Sequence, residues 1–122
     1  MTEDDGDPQF GTRGDDLLTA LAALANPQRL RILAALSEGR NYVSQLARDL
    51  EMNRPLLHMH LKRLEAAGLV TGELELSSDG QAMRYFQISD FALCLTPETV
   101  AEAARTLGQA RETDATGREN EQ

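Results

Sequence analysis

At Gly68 the hydrophobic pattern of this 122-residue chain changes its period. Before it, Leu, Ile, Val and Ala recur every three to four residues, the spacing of one face of a helix. After it, from Leu69 to Leu76 and again from Met83 to Ile88, apolar and polar residues alternate as in half-buried strands. The two runs are joined by Ser77-Ser78-Asp79-Gly80-Gln81, in which Asp-Gly is a strong hairpin turn. A chain with one such switch folds as a small helical body carrying a single hairpin.

Punctuation divides the helical part. Asp15 and Asp16 precede Leu17, Leu18, Leu21 and Leu24, so a first helix is expected with its acids at the favourable N-terminal end. Asn26-Pro27 restarts the chain: Asn accepts from the open amides of a first turn, and Pro there forfeits no hydrogen bond. The second helix runs through Leu30, Ile32, Leu33 and Leu36 and stops at Gly39. Asn41-Tyr42 is expected to open a short third helix, Val43 to about Leu50, with Val43, Leu46, Ala47 and Leu50 on one face. Met52-Asn53 forms a tight turn, and Asn53 caps a fourth helix from Arg54 to Ala67. Its inner stripe is Leu57, Leu61 and Leu64; its opposite face is Pro55, Met59, Lys62 and Ala66, flanked by Arg54, His58 and Arg63. Phe91 to Leu95 reads equally as a sheet extension or a linker, and Thr96-Pro97-Glu98 opens a last helix through Val100, Ala103, Ala104 and Leu107.

The formal net charge of −8 argues at first against a nucleic-acid partner, because phosphate neutralisation requires clustered positive charge. Its distribution removes the objection. Residues 1–16 carry −5, residues 96–122 carry −3, and residues 17–95 balance eight acids with eight bases. The expected organisation is an acidic disordered leader (1–14), a main domain (15–95), a C-terminal helix (96–111) and a flexible tail (112–122). The lone cysteine, Cys94, can form neither an internal disulfide nor a multi-thiolate metal site, and is expected to be a small buried hydrophobe. The acidic N-terminus is unlike a signal peptide, and no run approaches a membrane span, so the chain reads as soluble and cytoplasmic.

The order helix, helix, short helix, tight turn, longer helix, hairpin is that of a winged helix-turn-helix: an α+β, mostly α fold with a two-stranded β-wing and flanking dimerisation helices. The residues from Leu24 to Ile88 resemble the ArsR-like winged helix-turn-helix transcriptional regulators. The resemblance is carried by Leu-Ala-Asn-Pro-Gln-Arg-Leu-Arg-Ile-Leu (24–33), Val-Ser-Gln-Leu-Ala-Arg-Asp-Leu (43–50), His-Leu-Lys-Arg-Leu-Glu-Ala-Ala-Gly-Leu-Val (60–70) and Arg-Tyr-Phe-Gln-Ile (84–88). It implies that the fourth helix is the recognition helix and that double-stranded DNA is the partner. Arg54 then reaches guanine in bidentate fashion, His58 donates to a base or phosphate, and Pro55 and Met59 make apolar contacts. Lys62, Arg63, Arg40 and Arg48 suit phosphate, and Arg84 on the wing suits the minor groove. Glu51 stands where the family usually has a turn glycine, so it either takes a positive φ or forces another turn. Glu73, Glu75 and Asp79 make the wing acidic.

Metal-sensing members of the family place cysteine pairs on the third helix or His and acidic ligands on the last. Here the third helix has no Cys and the last offers only Glu98 and Glu102; His58 and His60, two residues apart, point to different sides of one helix. No metal or other cofactor is expected, and His60 reads as structural. Nor does any phosphate loop, nucleophile elbow or zinc-protease motif suggest an enzyme. Leu17, Leu21 and Leu24 with Val100, Ala103, Ala104 and Leu107 form spare apolar surface, and the resemblance makes these the homodimer interface. The competing reading is a protein-interaction module that uses Pro55, Leu56 and Met59 with the acidic wing. If the acidic ends repel DNA, removing residues 1–14 and 113–122 raises DNA affinity at low salt; unchanged affinity in a titration would show them to be electrostatically idle.

Overall fold

The computed structural model describes residues 13–109. The acidic segment before Arg13 and the tail expected at 112–122 lie outside the described residues. Five helices and three strands follow in order: α1 (Gly14–Leu24), α2 (Pro27–Leu36), β1 (Asn41–Tyr42), α3 (Val43–Leu50), α4 (Arg54–Ala66), β2 (Val70–Leu76), β3 (Ala82–Ile88) and α5 (Pro97–Arg105). The described residues divide into two compact units, one spanning Leu18–Ala92 and one made of residues 13–17 with 93–109.

The helix boundaries are set by local chemistry. The Asn26 side chain accepts from the amides of Gln28 (2.9 Å) and Arg29 (3.2 Å), and Asn53 accepts from Leu56 at 2.8 Å. Glu51 takes the left-handed conformation (φ 54°, ψ 49°), and the next amide, Met52, bonds back to the Ala47 carbonyl at 2.9 Å. The α3–α4 turn thus keeps a glycine-like geometry without a glycine. Met52 is buried beneath that turn. Gly68 (φ 78°) ends the fourth helix, and Leu69 donates to the Leu64 carbonyl at 2.9 Å before β2 begins.

The sheet corrects the expectation of a two-stranded wing. It has three strands in the order β1-β3-β2, all antiparallel. Asn41 and Tyr42 do not open a helix; they pair with Phe86 and Tyr85. Two residues are too few for a periodicity signal, and only the partner strand reveals them. Within the hairpin, Leu74 lies opposite Arg84 and Glu75 opposite Met83, and the Ser77 amide closes the turn on the Gln81 carbonyl at 2.8 Å. Phe91 to Leu95 forms no strand, which resolves that segment as a linker. Cys94, expected to be buried, is exposed: along this extended stretch Phe91 and Leu93 are half-buried while Ala92 and Cys94 face solvent.

At the other end, Gly14, assigned from sequence to the leader, is the first residue of α1 and is buried against α5. Its amide donates to Thr106 Oγ1 at 2.7 Å, and a β-carbon there would collide with the Ala103 carbonyl and the Leu107 side chain. Only glycine allows this approach.

The core of the larger unit is the seam between α3 and α4. Leu46, Leu57, Leu61 and Leu64 are all fully buried, with Ile32 and Leu36 of α2 and Phe86 of β3 completing it. One polar pair lies inside. Arg29 donates through Nε to the Ala23 carbonyl at 2.7 Å, and its Nη1 lies 3.1 Å from His60 Nδ1. Both side chains are buried, so Arg29 joins the C-terminal end of α1 to the inner face of α4. Burial, reinforced by the positive charges of Arg29 and Arg63, lowers the His60 pKa, and the neutral ring accepts from the guanidinium.

Two outcomes are expected. Leu61→Ala lowers unfolding free energy by about 2–5 kcal/mol, measured by denaturant titration. The lowered His60 pKa means that the unfolded chain binds the proton more readily. The His60 contribution is therefore complete above the ordinary imidazole value of about 6.5 and is lost as pH falls through the lowered one. Thermal unfolding followed downward from neutral pH should show a steeper loss in the wild type than in His60→Asn, whose amide oxygen still accepts from Arg29. Identical pH profiles would contradict this.

Candidate nucleic-acid interface

The dry inner stripe of α4 decides what its other face shows to solvent. Arg54, Pro55, His58, Met59, Lys62, Arg63 and Ala66 are exposed. Arg54 is the first residue of the helix, held there by the Asn53 cap and followed by a proline that needs no donor partner. Among the described residues, Arg54 and Lys62 take part in no salt bridge.

The hairpin lies alongside the fourth helix. A cleft of about 390 Å³ is lined by Arg54 and His58 from α4, Tyr42 and Ser44 from β1 and α3, and Gln81 and Arg84 from the wing. A neighbouring cleft continues along His58, Lys62 and Glu65, one helical stripe, against Arg84 and Phe86 of β3. The structure therefore brings Arg54, His58, Lys62 and Arg84 together. Arg63 lines a groove with Thr19, Ala22, Ala23 and Arg29 and a second one with Lys62, Glu65 and Ala66, but neither of the two clefts beside the wing. Arg48 is exposed on α3, where it donates to Gln45 Oε1 at 2.6 Å.

Arg40 and Arg84 have partners that spacing does not reveal. Arg40 lies over the Tyr85 ring (4.1 Å to its centre) and 3.5 Å from the Glu75 carboxylate. Glu75 also accepts from the Tyr42 hydroxyl, and Tyr42 meets Tyr85 edge-on at 5.9 Å. The bond to Glu75 raises the Tyr42 pKa, so its hydroxyl remains a donor at neutral pH. Arg84 lies over Phe86 (5.1 Å) and 3.8 Å from Glu65. Arg29 was also missed, although Arg29, Ile32, Leu33 and Leu36 stand at i, i+3, i+4 and i+7. A charged residue completing an apolar stripe was the available signal.

Of the expected dimer contacts, Leu17 and Ala103 are buried within the chain, and Leu21 and Leu24 are half-buried. Val100, Ala104 and Leu107 are exposed, and so is Leu18, which the stripe reading did not place at the interface. Among the described residues no group of three or more His, Cys, Asp or Glu side chains could hold a metal ion. No helix among them is long and apolar enough to cross a membrane.

Comparison with known proteins agrees with this geometry. Residues 26–71 match the family described as bacterial regulatory protein, arsR family. Over 85 residues the chain is 33% identical to an uncharacterized HTH-type transcriptional regulator of Methanocaldococcus jannaschii, covering 70% of this chain and 88% of that protein. It is 47% identical over 53 residues to the HTH-type transcriptional repressor SmtB of Mycobacterium tuberculosis, covering 43% of this chain and 39% of the repressor. In fold it is similar to the solution structure of a homodimeric winged helix-turn-helix DNA-binding domain from Mycobacterium bovis, a possible ArsR-family regulator. That likeness has a TM-score of 0.52 at 24% identity and covers 87% of this chain and 82% of that one. With the helix-turn-helix, the wing, the match over residues 26–71 and the 33% identical Methanocaldococcus jannaschii relative covered over 88% of its length, the chain belongs to the ArsR family of DNA-binding winged helix-turn-helix transcriptional regulators, which are not enzymes.

Proposed function

We propose that this regulator is a cytoplasmic homodimer that binds operator DNA in a sequence-specific manner without a bound metal. The observation that carries the reading is the exposed outer face of α4, where Arg54 and Lys62 have no ion pair among the described residues and each line one of the two neighbouring clefts shared with Arg84. Arg54, at the N-terminal end of the helix, is the base-reading residue: a guanidinium forks onto guanine O6 and N7. His58 and Met59, one turn on, flank the same groove. Lys62, further along the helix, is a phosphate contact, as is Arg48.

One winged helix reads too few base pairs for useful specificity, and a two-fold pair reading half-sites about 34 Å apart is the usual solution. Leu18 on α1 and Val100 and Leu107 on α5 supply exposed apolar surface for such a pairing, and the Mycobacterium bovis domain of similar fold is homodimeric.

Fluorescence anisotropy on the DNA upstream of its own gene, at two salt concentrations, tests the proposal. Binding should weaken steeply with salt. Arg54→Ala should cost about 1–3 kcal/mol and relax discrimination, whereas Lys62→Ala should weaken all sequences alike and reduce the salt slope by about one. Leu107→Glu should give a monomer by light scattering and lose operator binding. A folded wild type that binds no duplex even at low salt would overturn the reading in favour of a protein-interaction module.

A further inference from the structure

The cations of the DNA face fall into two classes. Arg54 and Lys62 on α4 have no carboxylate partner among the described residues, whereas Arg40, just before β1, and Arg84, on β3, are each held in the same way. Each guanidinium lies over an aromatic ring of β3 and beside one carboxylate: Arg40 over Tyr85 and beside Glu75, Arg84 over Phe86 and beside Glu65. The Tyr42 hydroxyl steadies Glu75 from a third strand.

We propose that Glu65 and Glu75 are built-in competitors of the DNA backbone, occupying the guanidinium groups of Arg84 and Arg40 until phosphate displaces them. A carboxylate and a phosphate offer an arginine the same kind of paired anionic oxygens, so one replaces the other at the same fork. The separations of 3.5 and 3.8 Å, at side chains exposed by 40–46%, describe loose, solvated pairs that are open to exchange. The ring beneath each arginine keeps the guanidinium in place once the carboxylate leaves. For the wing, association then exchanges one ion pair for another and adds little net attraction. The nonspecific part of binding then falls mainly to Arg54 and Lys62 of α4, with Arg48 of α3. The acidity of the wing is in this sense a restraint on affinity, and part of it acts through particular arginines.

The inference rests on the DNA-binding reading, and the experiment separates the two. The probe is a scrambled-sequence duplex of about three helical turns at low salt, so that no operator need be known. Full-length wild type, Glu65→Gln, Arg84→Ala and the double variant are compared. Glu73→Gln serves as a charge control: Glu73 is exposed on β2, opposite Tyr85 in the register and paired with neither arginine. Glu65→Gln should tighten binding about two- to fivefold beyond Glu73→Gln, the size of one exposed ion pair. It should also steepen the dependence of log affinity on log salt by up to about 0.9, the slope of one phosphate contact whose cation no longer gives up a carboxylate in exchange. In the Arg84→Ala background the extra gain should vanish. Equal gains from Glu65→Gln and Glu73→Gln, or a Glu65→Gln gain that persists without Arg84, would overturn the inference while leaving DNA binding intact. A wild type that binds no duplex would overturn the DNA reading and the inference with it.

Discussion

A recognition helix has to be dry on one side and ionic on the other, and in this protein the dry side is secured by few residues. Leu57, Leu61 and Leu64 are fully excluded from water, and Leu46 of α3 meets them across the turn. With no tryptophan and few aromatic residues, the core is almost wholly aliphatic, and these leucines are among its most deeply buried members. Every exposed group on α4 owes its direction to that seam: at 100° per residue, fixing Leu57, Leu61 and Leu64 inward turns Met59 and Lys62 outward. The left-handed Glu51 is tolerated for the same reason. The conformation costs about 1 kcal/mol or more, and the burial of Met52 within the turn, with Leu46 before it and Leu57 after it, holds it in place.

The polar pair inside this core gives it a second function. Burying a guanidinium is costly unless its donors are met, and Arg29 meets them with a carbonyl of α1 and with the imidazole of α4. A leucine at position 29 would fill space but would not tie the end of one helix to the register of another. The same pair explains why His60 is not a surface histidine: its Nδ1 is engaged from within.

Charge has different meanings at different scales here. The net −8 of the chain says little about the site, because the described interface mixes free cations on the helix with cations already matched by carboxylates. Exposed pairs of this sort add little to folding stability. They do set how many positive groups on this face are unmatched by a carboxylate, which a sum over residues does not register.

The sequence by itself determined the helical body, the single hairpin, the caps at Asn26 and Asn53, the buried stripe of α4 and its exposed outer face. All of these follow from interactions within a few residues, and period and punctuation record such interactions directly. The two-residue β1, the exposure of Cys94, the Gly14–Ala103 contact, the Arg29–His60 pair and the two carboxylate-held arginines were decided only by tertiary structure. Each depends on residues far apart in the chain, as with Tyr42 and Glu75 or Arg40 and Tyr85. Arg40 and Arg84 have the same composition and charge as Arg54 when read along the chain. What distinguishes them is the strand register that sets an aromatic ring beneath each one and the packing that brings a carboxylate to its side. Spacing along a sequence does not encode either.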